Sequence, residues 1–326
     1  MRALTLEELK DISAPELIAG LENGEISLIK SFSSSPLQNM RGRFMDLFAW
    51  SLGLLAMKLL VGPACRFVLW CILQGGSGPQ DEEYWRKKKE KAVRVGRLFF
   101  PDEMQGEVED VANKALIVGF NHPTLHEVMG LIGWSLKNFP TRRNNFPTNL
   151  PWYESVCQMS PQLRNLGIYI TPLITQNTFN KLEKIHSGNE EMLDTIKHVS
   201  KLLLNNYFDL AIDFERSGDN IFAAPSAARQ RSIFPPNDAR PLPVMSGLLY
   251  KIARANRDRK PDLIFLPITV IPLARLGALR GLRILRRYKF IIGRGFTLEQ
   301  ARKLGRSFDT AFLKRIAENA PKELWY

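Results

Sequence analysis

The sequence predicts an α/β fold in which a mixed, mostly parallel sheet is covered by helices on both faces, behind an N-terminal helical segment. Beyond residue 111, short apolar runs recur and each is followed by a helical pattern, as Ala115-Leu-Ile-Val-Gly-Phe120 is by Val128, Leu131, Ile132 and Leu136. Strands apolar at every position belong to sheets buried on both sides, because a one-sided sheet alternates with polar residues. Residues 1–105, by contrast, offer helical patterns only, so the expected division is a helical region over 1–105 and an α/β domain over 106–326.

Taken in order, residues 1–30 read as short amphipathic helices. Thr5 with Glu8, and Ser13 with Pro15 and Glu16, carry the spacing in which two side chains satisfy the open N–H groups of a first turn, and Gly24 is the expected stop. A serine-rich stretch ending at Pro36 reads as a linker. Residues 44–73 are the most lipid-like part of the chain: apolar almost all round a helix, broken at Gly62-Pro63, and resumed from Phe67. The longest stretch there without charge or proline is 47–57, short of the roughly 20 residues a bilayer span requires. Three readings stay open: a helical hairpin dipping into one leaflet with Lys58 and Arg66 reaching the headgroups, a helix pair buried on the protein, and a true span.

A basic helix over 82–98 follows, with Arg86, Lys87, Lys88, Lys89, Lys91, Arg94 and Arg97, and a second basic zone covers 275–294. Each is either a solvated face or a surface for an anionic bilayer. The remaining expected strands are Gly167-Ile-Tyr-Ile170, Phe208-Asp-Leu-Ala-Ile-Asp-Phe214, a run over 263–270 and Tyr288-Lys-Phe-Ile-Ile292. Helices open near Ser187, Asn189 and Glu190 and over 248–255.

Composition excludes whole classes. With 45% hydrophobic, 24% charged and 10% aromatic residues, the chain is neither disordered nor fibrous. Cys65, Cys71 and Cys157 cannot form a closed disulfide set, which favours a reducing compartment. The opening residues lack the apolar core of an export signal, so a cytoplasmic-side location is expected. A net charge of +12 attracts anionic partners without choosing among them. No zinc-finger spacing or aromatic RNA-binding string accompanies the basic zones, so no nucleic-acid partner is expected. The glycine patterns of nucleotide sites and the G-x-S-x-G elbow of serine esterases are absent as well.

Functional residues of open α/β sheets gather at the carboxyl ends of strands. Directly after Phe120 stand Asn121 and His122, with Pro123 favouring a helix start and Glu127 five residues beyond the histidine. Such a histidine either caps the helix or takes a proton from a hydroxyl, while the carboxylate accepts from its other N–H and fixes the tautomer. His122 and His126 also share a helical face and invite a zinc reading. Their order is not H-E-x-x-H, however, and only His186 and His198 remain to complete a site.

Asn121-His122 with an acid at 127, between an apolar strand and a helix, resembles the N-H-x4-D block of the glycerophospholipid acyltransferase superfamily, which includes lysophosphatidate acyltransferases. Further blocks follow in the family's order. Leu166-Gly-Ile-Tyr-Ile170 is similar to its second block, and Ala211-Ile-Asp-Phe-Glu215-Arg-Ser217 to its F-P-E-G-T-R-S block. Pro243-Val-Met-Ser-Gly247 is similar to its later helix start, and Leu266-Pro-Ile-Thr-Val270 to its V-P-I-V-P-V strand. The resemblance spans residues 111–315. It departs from the pattern at Glu127, which stands for aspartate, at Thr171-Pro172, where the second block carries arginine, and at Arg216, which stands for glycine. A long insertion over 221–242 carries Arg229, Arg231 and Arg240.

The resemblance implies an O-acyltransferase of phospholipid synthesis that moves a fatty acyl group from acyl-CoA or acyl carrier protein to a lysophospholipid-type hydroxyl. His122 would be the base and Glu127 its orienter, and Asn121, Thr171, Glu215, Arg216 and Ser217 would bind substrate. It requires no metal or cofactor beyond the thioester co-substrate, and it places the enzyme on an anionic bilayer surface. The alternative is a relative that kept the fold and membrane contact but lost turnover.

Overall fold

The computed structural model describes residues 1–33, 62–74, 81–99, 103–106, 114–121, 127–224, 248–255, 263–272 and 288–320. In chain order its helices are α1 Leu6–Asp11, α2 Ala14–Glu22, α3 Leu28–Ser33, α4 Gly62–Leu73, α5 Glu82–Phe99, α6 Glu127–Asn138, α7 Leu150–Val156, α8 Ser160–Asn165, α9 Gln176–Ile185, α10 Glu190–Arg216, α11 Leu248–Ala255, α12 Leu298–Leu304 and α13 Phe308–Glu318. The strands are β1 Glu103–Gln105, β2 Ala115–Phe120, β3 Asn144–Asn149, β4 Ile168–Leu173, β5 Asn220–Ala223, β6 Leu263–Pro272, β7 Tyr288–Ile292 and β8 Phe296–Thr297.

Two compact units divide the chain, one of Met1–Leu73, Pro147–Asn165 and Tyr169–Leu210, the other of Gln74–Phe146, Leu166–Ile168 and Ala211–Tyr326. In the first unit, helices of six to nine residues cannot bury their apolar faces alone. Instead Leu9, Leu17, Leu21 and Phe32 join one core with Leu150, Tyr153, Leu182, Ile196 and Leu203 from the middle of the chain.

Within that unit the start signals fold as their spacing predicts. Thr5 with Glu8 and Ser13 with Glu16 form complete capping boxes, each cap worth about 1 kcal/mol. Gly24 ends α2 at φ +73°, a conformation in which a side chain would be strained. The start of α3 is capped by another helix: the buried Glu154 accepts from the Ile29 N–H at 3.0 Å and the Ser27 hydroxyl at 2.8 Å.

The sheet runs β1-β7-β6-β2-β5-β3-β4, with β8 also on β6. β2 lies between β5 and β6 and is parallel to both, β3 is parallel to β5, and β7 and β8 run antiparallel to β6. The expected mixed, mostly parallel sheet is thus present, and helices lie on both faces around β2. Phe222, paired with Val118, meets Trp134 of α6 edge-on with centroids 6.2 Å apart, whereas Gly119, on the alternate face, faces Phe312 of α13.

One expected strand is a helix. The residues from Phe208 to Phe214 continue α10, because Leu203, Tyr207, Ala211 and Phe214 are buried at helical spacing while Asp209 and Asp213 are exposed. The strand is the shorter Asn220–Ala223 that follows.

Candidate functional site

The site is built on β2. Ala115-Leu-Ile-Val-Gly-Phe120 is buried at every residue, and its register sets Phe120 opposite Ile268 and Gly119 opposite Pro267 and Ala223. Asn121 ends the strand, 1% exposed. Its side-chain Nδ2 donates to the Val270 carbonyl at 2.9 Å, and its Oδ1 accepts from the Val270 N–H at 2.7 Å. The amide expected to bind substrate is thus engaged with the backbone of β6.

The next residue, His122, lies outside the described residues with 123–126, as does the side chain of Glu127. What is described is the frame on either side. Glu127 begins α6, and the helix is fixed through buried Leu131 and through Trp134, whose ring also meets Phe139 at 5.5 Å. A strand end and a helix start therefore bracket the expected histidine and acid.

Of the other expected substrate-binding residues, Glu215, Arg216 and Ser217 lie at the opposite end of the strands from Asn121. Glu215 and Arg216 form the end of α10, and Ser217 follows it, three residues before β5 begins. Because β5 is parallel to β2 with Asn220 opposite Leu116, these three lie toward the amino ends of the strands, whereas Asn121 and His122 leave the carboxyl end. Glu215 is fully buried at the end of α10. Thr171 is a buried residue inside β4 and belongs to the other unit.

The amino ends carry a polar network of their own. The Arg143 guanidinium pairs with Asp219, and Arg142 donates to the Lys114 carbonyl and to Asn220, whose amide in turn donates to Asn144 at 2.9 Å. Burial lowers the Arg142 pKa, against the pull of Asp219. These bonds tie together the starts of β2, β3 and β5.

What leaves the carboxyl end of β5 is Ala224 and then residues 225–247, which lie outside the described residues and carry Arg229, Arg231 and Arg240. In the sequence pattern they fall in an insertion, because the alternating run at 208–214 reads as the strand, a dozen residues before β5 begins. The signal that finds them is the buried helical spacing from Leu203 to Phe214, which moves the strand to 220.

Two further expectations meet the structure. In α5, Arg86 pairs with Glu83 and Glu90 at 2.7 and 2.6 Å, Lys87 with Glu83 at 3.3 Å, Lys88 and Lys91 with the Gln74 carbonyl, and Lys89 with the Pro140 carbonyl. The run from Arg86 to Lys91 is thus largely spent on internal bonds. In α4, Phe67 and Trp70 are each 56% exposed and stack with centroids 5.9 Å apart, while Leu69 and Ile72 on the opposite face are buried. Among the described residues no helix is long and apolar enough to cross a membrane, and no group of three or more metal-ligating side chains occurs. His126 lies outside the described residues, the His186 ring nitrogen is 2.6 Å from the Phe32 carbonyl oxygen, and His198 is exposed on α10.

No protein-family profile matches the chain, and no curated protein matches it. Among solved structures it is similar to the crystal structure of the 1-acyl-sn-glycerophosphate acyltransferase PlsC from Thermotoga maritima. The two share 15% identity and a TM-score of 0.42, over 85% of this chain and 96% of that one.

Proposed function

We propose that this chain is an O-acyltransferase that transfers a fatty acyl group from an acyl thioester, acyl-CoA or acyl carrier protein, to the hydroxyl of a lysophospholipid-type acceptor. The observation that carries this reading is the placement of Asn121: the chain segment with the histidine and the acid leaves the carboxyl end of a buried strand flanked by parallel neighbours, and the next helix opens at Glu127. In the proposed chemistry His122 takes the proton of the acceptor hydroxyl as its oxygen attacks the thioester carbonyl. Glu127 steadies the imidazolium, and the carbon–sulfur bond breaks as that proton passes to the leaving thiol. Backbone N–H groups at the start of α6 would stabilise the oxyanion.

The acceptor side is read from β5. Since the strand is 220–223, the cations that follow it, Arg229 and Arg231, are the proposed partners of an acceptor phosphate, in place of Arg216. A bilayer surface is the proposed partner of α4, whose stacked Phe67 and Trp70 present an amphipathic aromatic face of the kind that settles at a headgroup layer.

The test is incubation of the protein with labelled acyl-CoA, and separately with acyl carrier protein thioester, against a panel of lysolipids, followed by mass spectrometry of the lipids. Acylated lipid from the wild type and none from His122→Ala is the expected result. Turnover unchanged in His122→Ala, or no thioester consumed with any acceptor, sinks the proposal.

A further inference from the structure

Asn121 sits where the ladder between β2 and β6 runs out. The last backbone register of that pair is Phe120 opposite Ile268, and two residues further along β6 the N–H and C=O of Val270 are taken by one side chain in place of a strand. A primary amide is the one short neutral group that offers a donor and an acceptor side by side, so Asn121 stands in for the missing strand residue. With 1% of its surface exposed, its amide is directed into the sheet.

The anchor is itself held from other directions. Val270 pairs antiparallel with Phe290 of β7, and its neighbour Thr269 donates its hydroxyl to the Ile316 carbonyl in α13. The Asn121 side chain therefore ties the end of β2 to a strand that is itself held by β7 and α13.

We propose that Asn121 is a positioning residue: its amide fixes the point at which the chain bearing His122 leaves the sheet, and thereby sets the aim of the imidazole. This rests on the reading of His122 as the base. A general base must lie within hydrogen-bond reach of the proton it removes, and a displacement of about 1 Å costs on the order of a hundredfold in rate.

The experiment compares wild type with Asn121→Ala, Asn121→Asp and Thr269→Val. The threonine variant also loses a buried hydrogen bond of β6, one residue from the anchor, and so reports what a merely structural loss does. Steady-state acyl transfer is expected to show kcat lowered about tenfold to a hundredfold in Asn121→Ala with both KM values near wild type. Thr269→Val is expected to keep kcat while losing thermal stability. Asn121→Asp keeps the acceptor for the Val270 N–H, loses the donor, and is expected to fall between the two. It carries the test if the alanine variant does not fold.

The second readout needs no substrate: NMR titration of the imidazoles, with the His122 signal among the four histidines identified by its loss in His122→Gln. A His122 titration moved in the Asn121 variants and unmoved in Thr269→Val supports the assignment, even if the wild type transfers no acyl group and the functional reading fails. An unchanged kcat and an unchanged titration in the folded Asn121 variants overturn it, as does an equal effect in Thr269→Val.

Discussion

Asp309, buried in the first turn of α13, accepts hydrogen bonds from the backbone N–H groups of Leu249 at 3.0 Å and Tyr250 at 3.3 Å, and so caps α11 from a different helix. Removing the carboxylate leaves two N–H groups of a helix start without that acceptor. Asp309→Ala is expected to cost about 1–3 kcal/mol, read from urea unfolding. Burial raises the Asp309 pKa, opposed by the two backbone bonds. With the folded pKa above the unfolded one, the contribution of this carboxyl is fullest below the unfolded pKa and declines as pH rises through the folded pKa. The stability gap between wild type and Asp309→Ala is therefore expected to widen from neutral pH to about pH 4. A gap that narrows over that range contradicts the burial argument.

Gly119 and Phe312 give a second expectation. A Cβ at position 119 would stand 1.9 Å from Cε1 of the Phe312 ring, and that ring is held by Phe308 and Phe296 with centroids 5.8 and 5.9 Å away. The ring cannot yield without disturbing the aromatic cluster. Gly119→Ala is expected to destabilise by about 1–3 kcal/mol through overpacking, and the double variant with Phe312→Leu to recover part of that loss. Strict additivity of the two substitutions in thermal unfolding refutes the contact as the cause.

How much of this was legible depended on how local each signal was. The capping boxes at Thr5 and Ser13 are fixed by neighbours three residues away, and the six buried residues of β2 declare themselves by composition. β5 was hidden because its four residues, Asn220-Ile-Phe-Ala, compete with a longer alternating stretch just before them, whose burial follows a helical period only when read from Leu203 onward. β3 reads as a loop: Asn144-Asn-Phe-Pro-Thr-Asn149 has four polar residues and a proline, and its buried Asn144 is satisfied by the Asn220 amide from a strand far along the chain. The task of Asn121 depends on Val270, 149 residues on, so no local pattern reveals it. The histidine and acid, though legible as a spacing, fall at residues 122–126 and a side chain at 127 that lie outside the described residues.

The exposed face of α4 bears on the proposed bilayer partner. Phe67 and Trp70 project more than half of their surface into solvent, so truncating either removes little packing within the protein. Each is expected to contribute about 1–2 kcal/mol to partitioning onto a lipid surface. Trp70→Ala should then bind vesicles containing anionic lipid about tenfold more weakly in a sedimentation assay, with Phe67→Ala close behind and the melting temperature unchanged. Vesicle binding that survives both substitutions removes α4 as the contact.

The two ends of the sheet make opposite demands on arginine. Arg216 ends a helix at the amino end of β5, the side on which Arg142 and Arg143 are bound to Lys114, Asn220 and Asp219, whereas Arg229 and Arg231 belong to the chain that leaves the carboxyl end. On the proposed reading, a phosphate on the acceptor is held at the end where His122 acts, because the hydroxyl and the phosphate belong to one small molecule. Arg229→Ala and Arg231→Ala are therefore expected to raise the acceptor KM about tenfold or more, the loss of a charge-assisted bond, while the KM for the thioester stays put. Arg216→Ala is expected to leave both constants within about twofold, since on the proposed reading the acceptor is held at the opposite end of the strands. Kinetics with a phosphorylated and a phosphate-free acceptor decide between them: a defect in Arg216→Ala confined to the phosphorylated acceptor returns the acceptor site to the block around Glu215.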